Sequence, residues 1–377
     1  MARVLGIIGG GQLGMMITEA AKKMPDHISR VVVLDPTKGC PASQAGAEQI
    51  IADFKDQNAI IRLAKECDII TYEIESGDAD VLESVMNTAE INPLPETLRT
   101  IQDKLLQKTF LLEHGLPVPE FTAVETLADV RQGLQNFGIP AVLKARRDAY
   151  DGRGNFEIKS ESQAGEAFEY FEGRPLLLER HVPFVMEVSV IAARNTAGQI
   201  ATYPLVENIH EEGILRQTIA PARVPDDVAK RAQQIAEETM GVFRGAGVFG
   251  IEMFLTKDDG ILINEIAPRV HNSGHHTLQS SATSQFEQHL RAVLGMDLGS
   301  TELLCNAVMY NILGPEGFKG RYVSPGISGD GLHLKMYGKE ISKPARKLGH
   351  LNIVGGKSAD LLQRLDGFLD DAVVRPA

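Results

Sequence analysis

The sequence predicts a multidomain protein of the α/β and α+β class, and three observations carry that reading. The chain has 377 residues, more than one ordinary core organises when domains average roughly 100–200 residues. Its first 95 residues alternate short β-type runs with helical stretches, the pattern of a parallel sheet flanked by helices. After that the pattern becomes mixed, and from about Thr301 it turns to short strands and many glycines. The expected boundaries are 1–95, 96–300 and 301–377.

In the first unit, Arg3–Ile8 reads as a strand, Leu13–Lys23 as a helix and Arg30–Leu34 as a second strand. Asn58–Lys65 reads as a helix and Asp68–Glu73 as a strand. Asn92-Pro93-Leu94-Pro95 closes the unit, because each proline disfavours helix in the residue before it. A single helix is expected from Glu96 to His114. Ala141–Ala145, Leu176–Glu179 and Val188–Ala193 look like buried strands. Asp226–Thr239 is an amphipathic helix with Val228, Ala232, Ile235 and Ala236 on one face. Val248–Leu255 and Ile261–Ile266 are strands joined by a turn at Asp258-Asp259-Gly260. Ser284–Leu294 is helical, and no repeats are visible.

Composition narrows the function classes. Apolar residues make up 43% and charged residues 23%, as in an ordinary soluble domain. A net charge of −12 argues against a general nucleic-acid or anionic-membrane binder, so an anionic substrate needs a local basic cluster. Cys40, Cys67 and Cys305 form neither a disulfide framework nor a zinc pattern, which fits a reducing cytoplasm. The apolar start Val4–Ile8 runs into glycines and then charges, so neither a signal peptide nor a spanning segment is expected.

Gly9-Gly10-Gly11-Gln12-Leu13-Gly14 follows a strand and opens a helix, with Asp35 ending the next strand. Bare amides at a helix start attract an anion, and the spacing suits a dinucleotide. Another anion, or glycines needed only for close packing, fits the motif equally well. The remaining motifs turn against the dinucleotide. Lys144 ends an apolar strand and is followed by Arg146 and by Tyr150-Asp151-Gly152-Arg153-Gly154-Asn155, a lysine beside a glycine loop that can close over polyphosphate. Glu179 and Glu187 flank successive strands. Glu252 and the pair Asn264-Glu265 lie on adjacent apolar strands, where carboxylates are expensive unless a cation neutralises them. Mg²⁺ suits such hard oxygen ligands, and pairing with Arg or Lys is the alternative. Directly after them, Arg269, His271, Asn272, Ser273, His275 and His276 make a dense run of anion and proton contacts. Zinc is disfavoured there by the lack of nearby cysteine and by the adjacent oxygen donors.

Lys144, the loop Tyr150–Gly154, Glu179, Glu187, Glu252 and Asn264-Glu265 resemble the nucleotide site of the ATP-grasp superfamily. Four further stretches resemble the carboxyaminoimidazole ribonucleotide synthase family more narrowly: Gly9–Gly14, Thr71-Tyr72-Glu73-Ile74-Glu75, the run Asn264–His275 and Ser284–Arg291. So do Tyr337-Gly338-Lys339 and Arg346-Lys347-Leu348-Gly349-His350. The likeness spans essentially the whole chain. Bacterial members usually carry two glycines before the Tyr-Asp-Gly loop. Asp148-Ala149 stand there instead, as in fungal fusion members, and the chain ends before the mutase domain of those fusions.

The resemblance implies a Rossmann-like N-terminal domain, a central ATP-grasp domain and a small β-rich C-terminal domain. It implies an ATP-dependent ligase of purine synthesis that carboxylates 5-aminoimidazole ribonucleotide with bicarbonate. Mg²⁺ is the implied metal, with Mn²⁺ able to substitute, and a cytoplasmic homodimer is implied, with handover of product to a mutase. ATP would be met by Arg99, Lys144, Ala149, Tyr150, Asp151, Gly152, Arg153, Gly154, Asn155, Glu179, Arg180, His181, Val182, Glu187, His210, Asn264 and Glu265. Glu252, Glu265 and Asn264 would hold the metal, and Arg269, His271, Asn272 and Lys339 would serve catalysis. Gly11, Gln12, Leu13, Glu73, Tyr150, Asp151, Arg153, Ser273, Lys339 and Arg346 would bind the ribonucleotide, with the glycines facing its phosphate. Another ATP-grasp ligase, or a dinucleotide-binding protein, is the rival reading.

Overall fold

The computed structural model describes residues 1–148 and 154–377. The expected Ala149, Tyr150, Asp151, Gly152 and Arg153 contacts lie outside the described residues.

The N-terminal unit is the expected parallel sheet. Its five strands are ordered Glu48–Ile50, Ile28–Leu34, Arg3–Ile8, Ile69–Tyr72 and Glu90–Ile91. Helix Gln12–Ala21 follows the glycine loop, where two positions require glycine. Gly9 has φ +96°, and a Cβ on Gly14 would lie 2.8 Å from the Gly9 carbonyl oxygen. The expected helix Glu96–His114 is two helices, Pro95–Gln102 and Lys104–Glu113. Asp103 breaks it by adopting an extended conformation and capping the second helix through the amides of Leu105 and Leu106.

Two sheets carry most of the rest, with a short two-stranded sheet of Tyr322–Val323 and Arg375–Pro376 beside them. A four-stranded antiparallel sheet (order Phe121–Val124, Leu176–Arg180, Ala141–Ala145, Asn155–Ile158) carries Lys144 and Glu179. The larger sheet runs from Ile261–Ala267 through Gly247–Thr256, Phe184–Arg194, Val206–Glu211 and Ile214–Ala220. It then continues into Ala307–Leu313, Lys347–Val354 and Leu332–Met336 of the C-terminal part. Ile214–Ala220 pairs directly with Ala307–Leu313, so the C-terminal residues extend the central sheet. They do so with longer strands than the glycine-rich sequence suggests, because Ala307–Leu313 and Lys347–Val354 are buried on both faces along nearly their whole length.

One core crosses the sequence boundaries. Leu13, Met16 and Ile17 of the first helix pack with Phe286, Leu290 and Val293 of helix Gln285–Val293, with Val248 and with Tyr337. Each large side chain buried there contributes about 1.5–3 kcal/mol. This shared core fixes the N-terminal glycine loop against the central sheet and against the C-terminal segment.

Candidate active site

The three parts meet around a cavity of about 1230 Å³. From the N-terminal unit it is lined by Gln12, Leu13, Glu73 and Arg99. From the central unit come Lys144, Asn155, Glu187, His210, Glu252, Asn264 and Glu265, with Arg269, His271 and Asn272 beside them. The C-terminal segment adds Lys339 and Arg346. Most residues singled out from sequence therefore face one space.

Register explains the acidic floor. Glu252 lies opposite Glu265 on the neighbouring strand and opposite Ser189 on the other side, while Glu187 lies opposite Phe254. Facing partners in an antiparallel sheet share a face, so Glu187, Glu252 and Glu265 point the same way. Burial pushes the Glu252 carboxyl up to about 7. Burial would raise Glu265 too, but Lys104 Nζ at 2.6 Å holds it below the usual range. The two carboxylates and the Asn264 side-chain oxygen make a hard, oxygen-only donor set of the kind a divalent cation such as Mg²⁺ takes, with Lys104 and Lys144 now on two of them. Glu187 Oε2 is 3.2 Å from His210 Nδ1, and that contact raises the imidazole against the opposing effect of burial.

Beside the floor is a buried cationic cluster. Glu179 Oε2 is 2.7 Å from Lys144 Nζ, and its Oε1 is 3.1 Å from Lys108 Nζ. Burial alone would raise Glu179, but the two ammonium groups bring it down to about 2. Burial lowers Lys108 to about 8. Lys104 and Lys108, one helical turn apart, were missed from sequence. Lysines spaced by four on a helix entering the core could have flagged them, but the run reads as one long surface helix. Asp103 accepts Arg146 at 2.7 Å and Arg147 at 3.1 Å, tying the helix start to the segment before the glycine loop.

Several expectations need correction. Three glycine-loop amides are already taken by the chain's own carboxylates: Gly11 N and Gly14 N donate to Glu73 at 2.5 and 2.7 Å, and Gly10 N donates to Asp35 at 2.9 Å. Gln12 and Leu13 at the start of the helix face the cavity. Ser273 is buried beneath His271, its hydroxyl bonded to Ser189 and His271, and does not line the cavity. Arg180 turns outward to Glu120 at 2.5 Å. Gly154 lies across from Ala145, whose amide donates to its carbonyl. His275 and His276, read as anion and proton contacts, are sealed in the core. His276 Nδ1 is 2.8 Å from Ser280 Oγ, and burial lowers the ring to about 4.

The catalytic candidates are held by groups that sequence reasoning did not assign. Arg269 Nε lies 2.8 Å from Glu75. Asn272 exchanges amide hydrogen bonds with Asn311 at 2.7 and 3.1 Å, so a C-terminal strand orients it. Burial first, then Arg269, lowers His271 well below its ordinary value. Lys339 Nζ donates to Gln12 Oε1 at 2.8 Å, joining the C-terminal segment to the glycine loop. Arg346 donates to the Ile341 carbonyl at 2.7 Å, and Arg99 pairs with Asp80 and Glu83.

Residues 1–102 match a ribonucleotide synthetase preATP-grasp domain, 109–286 an ATP-grasp domain, and 307–364 a phosphoribosylaminoimidazole carboxylase C-terminal domain. The N5-carboxyaminoimidazole ribonucleotide synthase of Bacillus subtilis is 41% identical over 362 residues, covering 96% of this chain and 94% of that protein. The crystal structure of N5-carboxyaminoimidazole ribonucleotide synthetase from Thermotoga maritima is 43% identical, with a TM-score of 0.90 and full coverage of both chains. The Aspergillus clavatus N5-carboxyaminoimidazole synthase, in complex with ADP and 5-aminoimidazole ribonucleotide, superposes with a TM-score of 0.91 at 35% identity, covering 98% of each chain.

Proposed function

The chain belongs to the N5-carboxyaminoimidazole ribonucleotide synthase family of ATP-grasp ligases, and from that premise we propose that its cleft carboxylates the amino group of 5-aminoimidazole ribonucleotide with ATP and bicarbonate. One observation carries the reading: a polyphosphate-type lysine pair, an acidic floor, an Arg-His-Asn anion grip and a basic C-terminal clamp all line or border one cavity.

Bicarbonate is a poor electrophile because delocalised negative charge shields its carbon. An oxygen of bicarbonate attacks the γ-phosphorus of ATP, and ADP leaves. The product, carboxyphosphate, loses phosphate as its carbon is taken by the amine, and the amine loses a proton to become the carbamate. Such chemistry needs charge neutralisation, positioning and exclusion of water. Lys144 supplies charge for phosphate oxygens, helped by Lys108, and Arg99 and His210 meet the nucleotide. Glu187, an acceptor when ionised, suits ribose hydroxyls. Glu252, Glu265 and Asn264 would hold Mg²⁺, which when bound neutralises the phosphate oxygens. Arg269, His271 and Asn272 grip bicarbonate and carboxyphosphate. Lys339 and Arg346 clamp the ribonucleotide phosphate, while Glu73, already anchored on the glycine loop, presents its carboxylate edge to that substrate. The same proposal includes a cytoplasmic homodimer and handover of the carbamate to a mutase. No helix among the described residues is long and apolar enough to cross a membrane.

The test is phosphate release from ATP with and without the two co-substrates. Release should be strongly stimulated by bicarbonate together with 5-aminoimidazole ribonucleotide and should require a divalent cation. A rate indifferent to both co-substrates overturns the reading.

A further inference from the structure

Beneath His271, four polar side chains form one hydrogen-bonded series that crosses the central sheet. Thr218 Oγ1 donates to Asn208 Oδ1 at 2.9 Å, and Asn208 Nδ2 donates to Ser189 Oγ at 2.8 Å. Ser189 Oγ donates to Ser273 Oγ at 2.9 Å, and Ser273 Oγ lies 2.9 Å from His271 Nδ1. All four are buried, so their partners are fixed without competition from bulk water. On the far side of the ring, His271 Nε2 is 3.3 Å from Glu252 Oε1.

The direction of the series follows from its last member. The backbone amide of Ser273 also points at His271 Nδ1, at 3.4 Å, and an amide N–H can only donate. Nδ1 therefore carries a lone pair, and the ring proton sits on Nε2. With its own O–H donating to Nδ1, the Ser273 hydroxyl accepts from Ser189, which in turn accepts from the Asn208 amide. Each hydroxyl has one proton, so the order propagates through the whole series. Buried polar groups on interior strands are expensive unless every one is partnered, and here the partnering ends at the ring.

We infer that Thr218, Asn208, Ser189 and Ser273 are positioning residues that fix His271 in one orientation and as its Nε2–H tautomer, so that Nε2–H is the edge turned into the cleft. The inference rests on reading the cleft as the place where bicarbonate and carboxyphosphate are held. Ser273 thus acts through His271, one layer below the substrate contact that its sequence motif suggested.

The test is a long-range proton–nitrogen NMR spectrum of the full chain labelled with ¹⁵N-histidine, with His271 assigned by its loss in His271→Gln. The wild-type ring should show a pyridine-type Nδ1 and a pyrrole-type Nε2. Asn208→Asp, nearly isosteric and remote from the cleft, replaces the donor of the series by an acceptor. It should move the ring toward the Nδ1–H form. Ser273→Ala should lower kcat about 10- to 100-fold while KM for ATP stays within about twofold, the size of effect expected when a supporting partner is removed. A wild-type ring in the Nδ1–H form, or an even mixture, overturns the inference without reference to any variant. So does a Ser273→Ala protein with wild-type kcat. An Nε2–H ring in a protein whose ATP turnover ignores bicarbonate would break the functional reading and leave the tautomer assignment standing.

Discussion

His271 and His276 lie five residues apart on one segment, yet they meet opposite surroundings. His271 turns Nε2 toward Glu252 in the cleft, whereas His276 is enclosed in the core with Ser280. Its neighbour His275 lies tilted with its ring 4.8 Å from that of His350, which in turn bonds Tyr337. The cleft half borders charges that protein alone does not balance: Glu252 is pushed up to about 7, and Glu265 depends on Lys104. The core half holds neutral rings through short contacts within the protein, although His276 Nε2 is buried without a hydrogen-bond partner. A residue in the first environment should then be read out in turnover, and one in the second in stability. The comparison fails if substitutions on the two sides have the same signature.

The sharpest break should come at the floor. Glu265→Gln keeps the side chain's size but removes a charge that a divalent cation needs and that Lys104 now balances. Turnover is expected to fall on the order of 10²–10³-fold, the scale seen when an electrostatic element is removed from a reacting site. The melting temperature should fall as well, because Lys104 is left without its carboxylate partner. Near-normal turnover would remove Glu265 from the metal set.

The C-terminal clamp comes next. Lys339→Ala and Arg346→Ala each delete a charge-assisted contact, a loss of about 1.5–3 kcal/mol in substrate binding. At about 1.4 kcal/mol per tenfold, KM for 5-aminoimidazole ribonucleotide should rise roughly 10- to 100-fold. Affinity for ATP alone should hold. Equal losses for both ligands would mean that the bridge from Lys339 to Gln12 is structural and that the clamp is a folding contact.

On the core side, His289 offers the clean contrast. Its Nδ1 accepts from the Val248 amide at 3.0 Å, and its Nε2 lies 2.8 Å from Thr71 Oγ1. It therefore ties the N-terminal sheet to the central one. His289→Ala strands both partners, and each unsatisfied buried group costs about 1–3 kcal/mol. Chemical denaturation should show that loss, while kcat at low temperature stays close to wild type. A kinetic defect without a stability defect would reverse the assignment.

His289 also shows what sequence could and could not carry. Thr71 and the Ser284–Arg291 stretch were legible as motifs, but not as each other's partners, because their contact spans 218 residues of sequence. Strand and helix placement followed from local apolar periodicity, and Ala141–Ala145 and Arg3–Ile8 match their expected limits. The helix break at Asp103 was hidden because an aspartate between two amphipathic stretches reads as a surface position until Arg146 and Arg147 arrive from a distant strand. Most cleft residues were recognisable by chemical type: Lys144, Glu252, Glu265 and His271 are costly in apolar surroundings and so announce a role. Lys104, Lys108, Glu75 and Asn311 were not, since their roles consist of pairing with residues far away in the chain. Ser273 and Gly11 failed in the opposite sense. They sit within recognisable motifs, but their polar atoms are turned onto the protein's own His271 and Glu73.

The smallest effect separates the two halves by pH. Burial lowers His276 and His289 to about 4 and His350 to about 3, so these rings are neutral in the fold and take up protons more readily when unfolded. A depressed imidazole contributes stability that is fully present above the unfolded value near 6.5 and is lost as pH falls from there toward 4. Glu252 works the other way. Its carboxyl, raised to about 7 from 4.5, makes the fold more stable as pH drops between those values, which offsets one histidine. The rings lowered in the fold, His271 and His275 included, outnumber the groups raised there, Glu252, Glu73 and His210, so stability should decline on acidification from pH 7 to 5. His276→Gln isolates a single ring, because it removes one titrating group while leaving an amide that can reach Ser280. Denaturation midpoints measured at pH 7, 6 and 5 should converge for the variant and wild type as the solution is acidified. The difference in slope should approach about 1.4 kcal/mol per pH unit, one proton's worth. Parallel curves would mean that His276 takes up its proton over the same pH range folded and unfolded, and that the core does not suppress its charge.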